Sequence, residues 1–392
     1  MNKPSTVIRY LNVAHFIDHF AMLIFAAAVV VMAPVFHMGY GELLPYATPG
    51  FIAFGAGSLL SGWLGDRWSR RNMMVVFFIG MGLALIGVGL TNTPEQLGIG
   101  LLGIGLIASI YHPVGTAMLT AHAEQVGKAL GINGVWGNLG VALSALMTGM
   151  LVEFAGWRAA FLVPGVICLI LGLMFTQQVK NQPSPAKSGG AAQARVSRKA
   201  MALVIASLVI TVLASSTTFN AVTVAVPKLF EERLSSLTSS PAALGMIAAV
   251  VYVFGAFAQY TIGHLIDKKP LKDIFLPLAI IIVPALYAAS LVSGWLLIVV
   301  TIVVVIAIFG QVTVNDAMIA KYTSDEWRAR AYSARYFLGF TAAGLSVGLV
   351  SWLYVQGGFT IMLQAFSVLC LMIVLGAMIF PRDGMPPREM TK

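Results

Sequence analysis

The chain has 392 residues, of which 58% are hydrophobic and only 10% charged, with a formal net charge of +9. A mean hydropathy of +0.88 is more apolar surface than a soluble core can bury, so the natural solvent is a bilayer. That excludes an ordinary soluble enzyme. The basic charge sits in short collars rather than a basic domain, which excludes a nucleic-acid binder and leaves membrane lipids as its partners.

Crossing about 30 Å of hydrocarbon takes about 20 apolar residues in a helix. In chain order such stretches fall at 8–36, 41–65, 72–91, 97–121, 128–154, 157–177, 201–230, 241–266, 272–293, 295–321, 329–356 and 358–380. This predicts an all-α membrane protein of twelve spans. The first stretch is long and no small-residue cleavage site follows a short core, so it is expected to stay as an uncleaved anchor. Cys168 and Cys370 fall inside spans and are expected to be small packing residues.

Residues 178–200, "QVKNQPSPAKSGGAAQARVSRKA", are the one long polar interruption and predict a flexible linker. They divide the chain into halves of six spans, 1–177 and 201–392. Of the 24 Lys and Arg, 21 fall on the side of the termini and linker. Only Arg158, Lys228 and Arg233 fall on the other. The positive-inside rule then puts both termini in the cytoplasm of a multi-pass inner-membrane protein.

The halves echo each other. "GWLGDR" (62–67) matches "GHLIDK" (263–268) 201 residues on, and "TAML" (116–119) faces "DAMI" (316–319) at offset 200. Repeated matches at one offset predict a duplication. Two six-helix halves around a midplane site are a recurrent transporter plan.

The loop between spans two and three, "GWLGDRWSRR" (62–71), resembles the signature of the major facilitator superfamily. Gly62, Leu64, Asp66, Arg67, Arg70 and Arg71 fit; Ser69 replaces a glycine. The resemblance implies a pseudo-symmetric twelve-helix transporter with spans one, four, seven and ten around the cavity. It also implies that Asp66 faces the start of span eleven, near Arg328 and Arg330, as a gate that breaks during transport. Asp267 and Lys268 repeat the same parts in the second half.

Among 15 acidic residues, Asp18 alone looks deep. It lies nine residues beyond Arg9, or about 13 Å along a helix. Asn12, His15 and His19 at i, i+3 and i+7 join it in one polar stripe. A carboxylate among imidazoles in low dielectric can hold and release a proton. His112 in span four, beside the helix-breaking Pro113, is expected to face the stripe. These four titratable residues are the predicted proton-coupling set; structural hydrogen bonding between helices is the plainer alternative.

Gly134, Gly137 and Gly140 in "NGVWGNLG" (133–140) predict close helix contact. Asn12, His112, Asn133, Trp136, Asn138, Asn220, Gln259, Gln311 and Asn315 are the substrate-cavity candidates, with Tyr260 beside Gln259. Asp316 is expected to pair with Arg335 or Arg328 in an inner gate. Arg335 reads as lying only a few residues into span eleven. No cation is therefore expected at mid-depth, which weighs against a strongly anionic substrate. "YHP" followed by "GNLG", with "AHFIDH" in span one, resembles the fosmidomycin-resistance group of efflux carriers.

No nucleophile elbow, nucleotide loop or zinc-helix motif is present, so no enzyme, cofactor or resident metal is predicted. The reading is a monomeric, proton-coupled antiporter exporting a small amphipathic compound or drug. The alternatives are a proton-coupled importer of a metabolite, metal or metal chelate, and a non-transporting receptor or scaffold.

Overall fold

A computed structural model describes residues 4–124, 126–180, 198–266, 268–322 and 325–381, the side chains at 126–128, 198–200, 320 and 325–333 excepted. Asp267 and the side chain of Arg328 thus lie outside the described residues. Among them the regular structure is helical: α1 Pro4–Val35, α2 Tyr40–Leu43, α3 Thr48–Arg67, α4 Arg70–Gly89, α5 Pro94–Ala108, α6 Thr116–His122 and α7 Val126–Ala155. There follow α8 Ala159–Gln178, α9 Arg198–Arg233, α10 Pro241–Ile266, α11 Leu271–Ala289, α12 Gly294–Tyr322, α13 Asp325–Leu369 and α14 Leu371–Ile379.

The starts are set by local chemistry. The Ser69 hydroxyl accepts from the Asn72 amide to open α4, and Thr93 accepts from Gln96 with Pro94 following to open α5. The Ser240 hydroxyl accepts from the Ala243 amide ahead of α10.

Eleven candidate membrane spans result among the described residues. The last, Ala334–Ile379, has 46 residues, about 69 Å of helix and twice the bilayer core. Its backbone leaves the helical region at Gly357 (φ −177°) and Gly358 (φ 63°). The sequence predicts two spans here, 329–356 and 358–380, and the break falls between them.

The duplication reaches down to single hydrogen bonds. Arg71 donates to the carbonyls of Val179 (2.8 Å) and Thr176 (2.6 Å) at the end of α8. Lys272 donates to Phe380 (2.6 Å) and Met378 (2.8 Å) at the end of α14. Lys272 and Phe380 each lie 201 residues after Arg71 and Val179. Each cation covers carbonyls that a helix leaves open at its C-terminus. Arg71→Met and Lys272→Met are each expected to lower stability by about 1 kcal/mol, read by thermal unfolding in detergent.

Helices of the two halves pack tightly towards the end opposite the basic loops. A Cβ at Gly55 would lie 2.6 Å from the Thr341 amide, and one at Gly344 2.7 Å from that of Ile52, so α3 and α13 touch backbone to backbone. At Gly149 and Gly245 a Cβ would collide with the carbonyls of Pro241 and Ala145, which locks α7 on α10. Polar latches add to this packing. Ser351 donates to the Gly41 carbonyl (2.5 Å). Glu153 accepts from the Ser240 hydroxyl (2.5 Å) and the Ala242 amide (2.9 Å) at the start of α10. Towards the basic end, Trp63, Asp66 and Arg67 on α3 are exposed.

Candidate functional site

The polar stripe of α1 meets the break between α5 and α6. Residues Tyr111–Gly115 form a wide π turn around Pro113, a geometry that frees backbone groups and recurs at functional sites. The signature loop reaches this turn from behind. A Cβ at Gly62 would stand 3.3 Å from Pro113, and one at Gly65 2.8 Å from Val114. The motif glycines thus seat the segment that carries His112, a link that spacing along the chain does not reveal.

The turn delivers His112 to the stripe. Its Nε2 is 3.4 Å from Asp18 Oδ2. The His112 ring lies 5.4 Å, centre to centre, from those of both His15 and His19, which are 5.0 Å apart. Asp18 is fully buried. Neither of its carboxylate oxygens, nor His112 Nε2, has a hydrogen bond of good geometry.

His15 is held on both sides. Its Nδ1 is 2.8 Å from the Asn133 carbonyl, and its ring stacks on Tyr111 at 4.7 Å. The Tyr111 hydroxyl donates to the Asn133 side-chain oxygen (2.9 Å), while the Asn133 amide donates to Asn12 (3.0 Å). Asn12 and Asn133 are therefore framework partners of the histidine. Tyr111 is the member that sequence reasoning missed; its place directly before His112 was the available signal.

Close approach of α7 makes room for this. A Cβ at Gly137 would sit 2.6 Å from the His15 ring, and one at Gly140 would collide with the Phe16 carbonyl. Gly134 meets nothing within 4 Å, so the expected three-glycine contact is a two-glycine contact. The second half repeats it in reduced form: a Cβ at Gly339 would meet the Ser216 hydroxyl at 2.8 Å.

Helix α13 covers the cluster from the other side with Tyr336 and Phe340, whose rings lie 5.4 and 4.9 Å from that of His112. Phe54 of α3 is 5.8 Å away. Beside Tyr336, Arg335 pairs with Asp316 of α12 at 2.8 Å and sits over the Tyr336 ring. Its side chain is only 10% exposed. Helix α13 begins four residues before the predicted span, which puts Arg335 about 15 Å along it. Arg335 is thus a largely buried cation at the near end of α13, held by Asp316.

The remaining candidates divide. Gln311 is fully buried with both side-chain polar atoms unpartnered. Asn138 donates to Gln259 (2.5 Å), joining α7 to α10. Trp136 is 36% and Tyr260 63% exposed. Asn220 donates to Ala343 and Ser346, and Asn315 links Thr211 to Ser215. Those two asparagines staple helices of the second half. Asp66 is 70% exposed and paired with Arg70 of its own loop at 2.8 Å. Arg67 lies over Trp63, and Lys268 is exposed.

A bundle of apolar helices around a buried cluster of ionisable side chains is the architecture of a membrane transporter rather than an enzyme. The Major Facilitator Superfamily model matches residues 11–239 and 208–390, and the chain belongs to that family. A bacterial homologue of the human lysosomal transporter Spinster, in an inward-facing and occupied conformation, shares the fold: TM-score 0.79, 14% identity, 96% of each chain covered. So does a D-xylose–proton symporter: TM-score 0.76, 15% identity, 98% of this chain and 100% of that one.

Curated relatives match over shorter stretches. A probable hexose phosphate transport protein of Chlamydia muridarum (strain MoPn / Nigg) is 30% identical over 137 residues, which is 34% of this chain and 30% of that protein. The puromycin resistance protein pur8 of Streptomyces alboniger is 31% identical over 122 residues, 30% of this chain and 24% of that protein. The 4-hydroxybenzoate transporter PcaK of Pseudomonas aeruginosa is 29% identical over 157 residues, 38% of this chain and 34% of that protein.

Proposed function

We propose that the chain is a proton-coupled secondary transporter that exports a small amphipathic compound across the inner membrane. Asp18 carries the proton, with His15, His19 and His112 around it. The observation that supports this is the buried Asp18 carboxylate, without hydrogen bonds and 3.4 Å from His112 Nε2. An ionisable group kept at such cost inside a membrane bundle ordinarily serves an ion or proton path.

Residues 1–177 and 201–392 act as two halves joined by the 178–200 linker, as a monomer with cytoplasmic termini. They rock about the central site. Charge asymmetry makes the tightly packed end the outer one, which favours an inward-facing state. In that state the exposed Asp66 is released from the gate it forms with the start of α13, and the Asp316–Arg335 pair lies beside the open path. Import of a metabolite by the same machinery is the second direction, supported by the largely buried Arg335, which suits an anionic group.

The test is a ligand-stabilisation screen of the purified protein at two pH values with glucose 6-phosphate, 4-hydroxybenzoate and puromycin. The stabilising compound is then followed in proteoliposomes. Flux driven by a pH gradient is expected. A compound that binds but never moves would leave a receptor.

A further inference from the structure

The three histidines around Asp18 offer more than proton chemistry. One nitrogen each from His15, His19 and His112 lies within 4.8 Å of the others. The Asp18 carboxylate lies beside the set, 3.4 Å from His112 Nε2. For a tetrahedral ion with bonds of about 2.0–2.1 Å, neighbouring ligand atoms stand about 3.3 Å apart. The Asp18–His112 contact already has that length, and the edges among the three histidines need to close by about 1.5 Å at most.

Two independent features point to a ligand. The fully buried Asp18 oxygens and His112 Nε2 have no hydrogen-bond partner, whereas a buried polar atom normally has one. His15 is also oriented as metal-binding histidines are. Its Nδ1 is committed to the Asn133 carbonyl at 2.8 Å, and Asn133 is fixed in turn by Tyr111 and Asn12. A ring nitrogen tied to a carbonyl leaves the other with its lone pair free, which is the usual second-sphere device at metal centres. Three imidazoles and one carboxylate select a late first-row divalent ion over magnesium or calcium, which prefer all-oxygen sets.

The geometry points to a site for a divalent transition-metal ion at His15, His19, His112 and Asp18. The ion is cargo, taken alone or as a chelate. This rests on the reading of the cluster as the transporter's central site.

The test uses the full chain in detergent with cobalt(II) or zinc(II) as the probe, and magnesium and calcium as comparisons. One cobalt per chain is expected, with the visible absorption of a tetrahedral N/O site, and zinc should displace it. Affinity should fall at least about 10-fold in His19→Gln and in His112→Gln. His122→Gln changes a histidine outside the cluster and should bind as the parent does. Each variant's melting temperature without metal separates lost binding from lost folding. No cobalt spectrum in the parent, or an unchanged one in the folded double variant His19→Gln/His112→Gln, overturns the metal site. In that event, flux in proteoliposomes that is driven by a pH gradient and lost in Asp18→Asn leaves the proton-coupled reading standing.

Discussion

Asp18→Asn is expected to reduce flux driven by a pH gradient to background while the protein still inserts and folds. Asn keeps the volume and shape of the carboxylate and removes its proton chemistry. Asp18 is fully buried with neither oxygen in a hydrogen bond, and its one ionisable contact among the described residues is His112 at 3.4 Å. An unsatisfied buried polar group costs about 1–3 kcal/mol, more when charged. The substitution therefore removes a burden from the fold, and the asparagine amide sits where it can donate to His112 Nε2. Thermal stability should hold or rise. Flux in proteoliposomes measured beside melting temperature separates the two effects. Undiminished flux sinks the proton role of Asp18, and a large fall in melting temperature makes it structural.

The second large effect is expected at Gly140. A Cβ there collides with the Phe16 carbonyl. That atom is backbone, so relief requires the whole of α1 to move away from α7. Overpacking of this kind costs about 1–3 kcal/mol. Gly140→Ala should lower the melting temperature and shift His15 from its seat on Asn133. Gly134→Ala is the matched comparison: nothing lies within 4 Å, and replacing a mid-helix glycine by alanine gains up to about 1 kcal/mol. The two changes, six residues apart on one helix, should move stability in opposite directions. Thermal unfolding of both in the same detergent checks this; equal behaviour would mean that α1 and α7 do not touch as described.

Much of the fold was legible because hydropathy answers directly to the bilayer. Each predicted span overlaps a helix, and the motif at 62–71 identified the family. The Asn12–His19 stripe was legible too, since helical spacing fixes a face. What escaped depends on partners far apart in sequence. Asn220 and Asn315 looked like cavity residues, but a polar side chain inside a span is equally suited to stapling two helices. Only the positions of Ser346, Thr211 and Ser215 show the stapling. The burial of Arg335 escaped because a polar first turn hid the start of α13. Gly134 and Gly140 carry the same letter, and only the course of α1 distinguishes them. The π turn at Tyr111–Gly115 was visible as Pro113 alone, without the register that brings His112 to Asp18.

The latches at the tightly packed end set an energy scale for the working cycle. Ser351 on Gly41 and Glu153 on Ser240 and Ala242 are few. Such bonds contribute about 0.5–1.5 kcal/mol each when neutral and about 1.5–3 when one partner is ionised. One proton falling through one pH unit releases about 1.4 kcal/mol, and crossing 100 mV about 2.3 kcal/mol more. For the proton-driven cycle proposed above, these hydrogen bonds are thus of the same order as the driving force. In that cycle a change of membrane potential of about 100 mV is comparable with breaking one or two of the latches.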